Sequence, residues 1–187
     1  MRYLVLFLLI TCNLFAQESK ILERLVALDN NGKIWYNIDG YSITSEVFNY
    51  NFDEKGLKKI FKKHSIKEVD LKTKDDSISK NNIVVHKTEK LNEKLTQRNS
   101  YFFVENNDKK IIVIWFAKTS NEDFRMQREL TNLIIENKIP KSNFVSMQTN
   151  KINFGNRQIE LANICYWIFF KYSSVSVFWR NELVSSL

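Results

Sequence analysis

Residues 109–118 read KKIIVIWFAK: a run of apolar side chains, Ile111 to Ala117, bracketed by lysines. A strand with one face in water alternates apolar and polar residues, whereas an unbroken apolar run suits a strand covered on both faces. The run therefore predicts a central strand. Ile112 and Ile114 are expected on one side and Val113 and Trp115 on the other, with Lys109, Lys110 and Lys118 marking where the strand meets water.

The sequence around it reads as strands and helices in turn. Downstream, Ser120 and Asp123 have capping-box spacing, and Met126, Leu130, Leu133 and Ile134 form the stripe of a helix that stops at Asn137 and Lys138, before Pro140. Upstream, YFFVE and IVVHKTEKL predict strands, and the polar stretch 72–82 predicts a mobile loop. In DEKGLKKIFKKHSIK, Leu57, Ile60, Phe61 and His64 share one helix face while Lys58, Lys59, Lys62 and Lys63 surround the other; acidic residues open the helix and lysines close it. Asp39 and Gly40 between two apolar runs predict a hairpin over 34–52, and the stripe Ile21, Leu22, Leu25, Val26, Leu28 predicts a helix over 19–28 with Gly32 near its stop. After Asn143 the chain returns to strand-like runs, ending in the apolar stretch Cys165 to Trp179, which reads as paired core strands, a docking patch or an unpaired tail. The fold class is α+β: a mostly antiparallel sheet with about three helices on one side, a single compact domain over 17–187.

The first 16 residues stand apart. Arg2, the apolar run from Leu4 to Ile10 and Ala16 before Gln17 have the order of a secretory signal peptide, 1–16, too short for a permanent span of about 20 residues. Thr11 is a poor neighbour for lipid attachment at Cys12, which is the minority alternative. The mature chain is then expected to be secreted or periplasmic, with no transmembrane span. It keeps Cys165 alone, so no intramolecular disulfide is available, and its apolar setting reads as a buried, inert thiol.

The net charge is +7, one unit of it from Arg2 in the leader. This moderate excess suits solubility and allows acidic envelope polymers as partners. HExxH, CxxC, HxH and GxSxG are missing, the four glycines are scattered, and His64 and His86 are the two histidines. A nucleophile would need Cys165 or a serine folded beside one of them, with an acid behind it. The lysine-rich helix fits nucleic acid or a membrane surface poorly beside its role in packing on the sheet, so no nucleic-acid partner, cofactor, metal or catalytic residue is assigned. The expected function is that of an exported binding or interaction module without catalysis, with an envelope or extracellular protein or polymer as partner. The alternative is a secreted hydrolase using scattered carboxylates or a Cys/His pair. Aromatic and basic residues supply the expected binding surface: Trp35, Tyr36, Lys58, Lys62, Trp115 and Trp167. N-terminal sequencing of exported protein should begin at Gln17; a lipid-modified Cys12 would overturn this cleavage site.

Overall fold

A computed structural model describes residues 20–30, 32–146, 148–154, 157–169 and 175–178. The leader expected over 1–16, with Cys12, lies outside the described residues. Contacts divide the chain after Phe144 into two units.

The first unit is a compact α+β domain. A short helix at residues 20–24 (α1) leads into the meander β1 (Val26–Asn30), β2 (Lys33–Ile38) and β3 (Tyr41–Asn51). Helix α2 (Glu54–Lys63) follows, then a second meander of β4 (Asn82–Lys90), β5 (Thr96–Glu105) and β6 (Lys110–Lys118), and then α3 (Phe124–Ile135). The six strands form one sheet in the order β1-β2-β3-β6-β5-β4, every neighbouring pair antiparallel. The two meanders meet along β3 and β6, from Ser42 opposite Ala117 to Asn51 opposite Lys110. The second unit is a three-stranded antiparallel sheet of β7 (Gln148–Phe154), β8 (Arg157–Phe169) and β9 (Val175–Phe178). In its apolar stretch Tyr166 to Phe169 pair with Val175 to Phe178; Cys165 lies on β8 opposite Thr149, and the burial of its thiol lies outside what is described.

The β2–β3 hairpin turns at Asp39 and Gly40, both with positive φ (49° and 76°), as a two-residue loop matched to strand twist requires. At α2, Asp53 accepts the Gly56 N–H at 2.7 Å as the N-cap. A Cβ on Gly56 would lie 2.1 Å from the Asn51 carbonyl oxygen, so only glycine lets the helix start this close to β3.

Four local expectations are corrected. The helix expected over 19–28 gives way after residue 24 to β1, because Val26 to Asn30 pair with β2; Asn143 Nδ2 donates to the Leu22 and Leu25 carbonyls instead, and Gly32 (φ 88°) serves the β1–β2 turn. The helix expected from Ser120 begins at Phe124, since Asp123 is itself the cap, accepting the Met126 N–H at 3.0 Å. The stretch 72–82 is stitched to α3 rather than loose: Arg128 pairs with Asp75 at 2.5 Å, Asn132 bonds Ser77 and Ser79, and Ile78 is buried. Finally, the helices lie on both sides of the sheet. Ile21 and Leu25 in and just after α1, with Met126, Leu130 and Leu133 of α3, pack on Tyr36, Ile43, Phe102, Ile112, Ile114 and Phe116. Helix α2 sends Ile60, Leu57 and Phe61 to the opposite face, onto Phe48, Val85, Phe103, Ile111 and Val113.

β6 thus has apolar cover on both faces, with Ile112 8% and Val113 2% exposed. Because an unpaired buried charge costs several kcal/mol, comparable to the net stability of a domain, Ile112→Lys and Val113→Lys should each abolish the cooperative thermal transition. Loss of folding in only one of them would show an open face.

Candidate functional site

The register of the sheet builds one row of side chains across all six strands. Leu28 lies opposite Trp35, Trp35 opposite Thr44, Thr44 opposite Trp115, Trp115 opposite Tyr101 and Tyr101 opposite Val85. Side chains alternate along a strand, so the row lies on the face that α2 packs against. The α2-side core reaches this row at Val85 and Tyr101, and Trp35, Tyr101 and Trp115 are half-buried. The Tyr101 and Trp115 rings are stacked, 13° from parallel with centroids 6.1 Å apart. Beside them, Trp115 Nε1–H donates to Asn99 Oδ1 at 2.9 Å, and Gln97 Nε2–H donates to the same oxygen at 2.6 Å. These bonds fix the indole: its N–H is satisfied and its ring is braced by a neighbour.

A second constellation lies on the other face, where the β4–β5 hairpin meets the start of α3. His86 is opposite Ser100 in the register, and its Nδ1 lies 2.9 Å from Ser100 Oγ. Ser100 Oγ–H donates to Glu122 Oε1 at 2.8 Å, and Gln127 Nε2–H reaches Glu122 Oε1 at 3.3 Å and Tyr41 Oη at 3.4 Å. Tyr41 Oη also accepts the Asp123 N–H at 2.5 Å. A carboxylate only accepts, so the single hydroxyl proton of Ser100 goes to Glu122 and Nδ1 of His86 must be the donor to Ser100. That assignment leaves Nε2 as the basic nitrogen, and the partial desolvation of a ring set edge-on to Phe124 lowers the His86 pKa from its usual value against the pull of Glu122, although the residue as a whole is exposed.

Serine, histidine and acid are therefore together, as a nucleophilic site requires, but their order differs. In a working triad the imidazole stands between hydroxyl and carboxylate, so that it takes the hydroxyl proton as the oxygen attacks. Here the hydroxyl stands in the middle, fully buried, with its proton committed to the carboxylate. The arrangement orients His86 and anchors the start of α3; it does not activate Ser100.

Of the residues expected at a binding surface, Trp35 and Trp115 share the aromatic row. Lys58 and Lys62 are exposed on α2, on the same side of the sheet. Tyr36 is corrected to a core residue: alternation turns it to the opposite face, where it is 4% exposed and its hydroxyl lies 3.4 Å from Ser45 Oγ. Trp167 lies on β8 in the second unit, opposite Val177. Sequence reading missed Tyr101, Asn99 and Gln97, and it missed the Ser100–Glu122 pair behind His86. Hairpin register is the signal that would have found them, since β4–β5 pairing puts His86 against Ser100. No family model matches this chain, and neither the curated proteins nor the solved structures gave a match.

Ser100→Ala removes the link between His86 and Glu122 and leaves both short of a buried partner. Because His86 is exposed and Glu122 half-buried, water can replace the lost hydroxyl, so only the net worth of a hydrogen bond, about 0.5–1.5 kcal/mol, is at stake; urea unfolding should show a loss of that size, and unchanged stability would show that the chain of bonds does not hold α3.

Proposed function

We propose that the protein is an exported binding module without catalysis of its own, acting outside the cytoplasm on an envelope or extracellular protein or polymer. The observation that carries the reading is the braced pair Trp115–Tyr101, half-buried and set in a row with Trp35 on a face whose main core lies toward α2. Large aromatic rings held in one orientation offer broad contact area with little ordering entropy left to lose, which is why Trp and Tyr dominate binding hot spots. The basic helix α2, with Lys58 and Lys62 on its exposed side, adds attraction for acidic partners. Its leader-like first 16 residues support export.

A secreted hydrolase is the second reading, and the His86–Ser100–Glu122 contact favours it. The order of that contact weighs against it, as does the burial of the hydroxyl.

Pull-down of the mature chain on its own cell-envelope fraction separates the readings. Retention should fall about ten-fold or more in Trp115→Leu, as expected for loss of a hot-spot aromatic. Retention that instead collapses with added salt and in Lys58→Gln/Lys62→Gln, but not in Trp115→Leu, would move the surface from the aromatic row to α2. Turnover of ester or glycoside probes that is lost in His86→Ala would replace the binding reading with the hydrolase.

A further inference from the structure

His64 occupies an unusual place beneath α2. Its backbone N–H caps the helix by donating to the Ile60 carbonyl at 3.0 Å, and the next residue, Ser65, turns the chain away in the left-handed region (φ 55°). Its ring folds in among three aromatic side chains, with centroid distances of 5.9 Å to Phe48, 5.7 Å to Tyr101 and 6.1 Å to Phe103. Among the described residues, no hydrogen-bond partner reaches its buried Nε2. A neutral imidazole leaves one weak acceptor unmet in that position; an imidazolium would bring a full charge and a second N–H with nothing to receive it.

The charged groups around the ring do not relieve this. Lys63 on α2 and Lys33 on β2 oppose a further positive charge. Glu46 on β3 would favour it, but its carboxylate is engaged by Lys63 at 3.1 Å. Tyr101 on β5 stays neutral, its hydroxyl pushed up to about 12 by burial. On β4, Lys87 is tied to Asp70 at 3.4 Å and to the Ser65 carbonyl at 2.7 Å, just past the cap.

We propose that α2 is an acid-released flap on the sheet and that His64 is its latch. Opening swings Leu57, Ile60 and Phe61 off Phe48, Phe103, Ile111 and Val113 and lets the imidazole reach water. The other face is untouched, because His64 has no part in the core beneath α3. Burial, the largest cause, and Lys63 lower the His64 pKa from 6.5 to about 4 while the helix is seated. The released form therefore binds the proton more tightly, so the hold on α2 is complete above about pH 6.5 and is lost as pH falls toward 4. Between pH 7 and pH 5 the opening equilibrium should rise about 20-fold.

Amide hydrogen exchange of the full chain, followed by NMR at pH 7 and pH 5 and corrected for intrinsic rates, tests this. Protection at Ile60, Phe61 and His64 should fall about 20-fold while Val113 and Ile114 on β6 keep theirs, and His64→Phe should remove the pH effect. Parallel loss at α2 and β6 would overturn the proposal, as would an acid effect that persists in His64→Phe. If that variant does not fold, the titration of His64 in the unaltered chain decides. A midpoint below about 5, accompanied by opening of α2, supports the latch; a midpoint near 6.5 with α2 still protected sinks it.

Discussion

One strand must be dry on both sides, and most of the architecture follows from that constraint. The β6 side chains from Ile111 to Val113 carry apolar groups to both faces in immediate succession, so neither face can be given to water. Each buried Ile, Val or Phe contributes about 1.5–3 kcal/mol, and the run as a whole is comparable to the net stability of a domain. Cover on both sides requires two layers, and the chain supplies them from different places: α2 from between the meanders, α3 with α1 from the two ends of the unit. A central position also requires a strand on either side, which β3 and β5 provide.

That much could be read from KKIIVIWFAK, because an unbroken apolar run states its own surroundings. The hairpin at Asp39–Gly40 and the amphipathic α2 were equally legible, since turn chemistry and helical periodicity are local. What failed were the places where distant pairing decides. Val26 and Leu28 fit a helical stripe as well as they fit a strand, and only β2 alongside chooses between them. The cap of α3 lies three residues past Ser120 because Ser120 and Asp123 are both good caps; Asp123 wins while Arg98 takes the Ser120 carbonyl at 2.8 Å and Tyr41 holds the Asp123 N–H. The stretch 72–82 lacks periodicity, which says nothing about Asp75 meeting Arg128 or Asn132 meeting Ser77 from 53 and 55 residues away.

The candidate site divides in the same way. Aromatic content pointed to Trp35 and Trp115, and the sheet register puts them in one row. Only its chemistry points to Tyr36, whose position next to Trp35 on a strand sends it to the opposite face. The bonds that brace Trp115 come from Asn99 and Gln97 on a neighbouring strand, and the group behind His86 comes from its hairpin partner and from the approach to α3. Neither arrangement leaves a mark at any fixed spacing in the sequence, because Trp115 meets Asn99 and His86 meets Ser100 across strands, at separations set by turn length, and Glu122 comes from beyond the end of β6.

The seam between β3 and β6 also governs how the molecule can be assembled. Each meander closes through short turns, but the two halves join only after α2, β4 and β5 have been made. At about 5–20 residues per second of synthesis, the β3 edge waits several seconds for its partner strand. Throughout that interval it is a bare row of backbone donors and acceptors beside Phe48 and Ile43, open to pairing with another chain in the same condition. A holding factor that keeps the chain extended until β6 is available would protect an edge that the finished sheet hides, and the demand for it would be set by the length of chain between two strands rather than by how stable the product is.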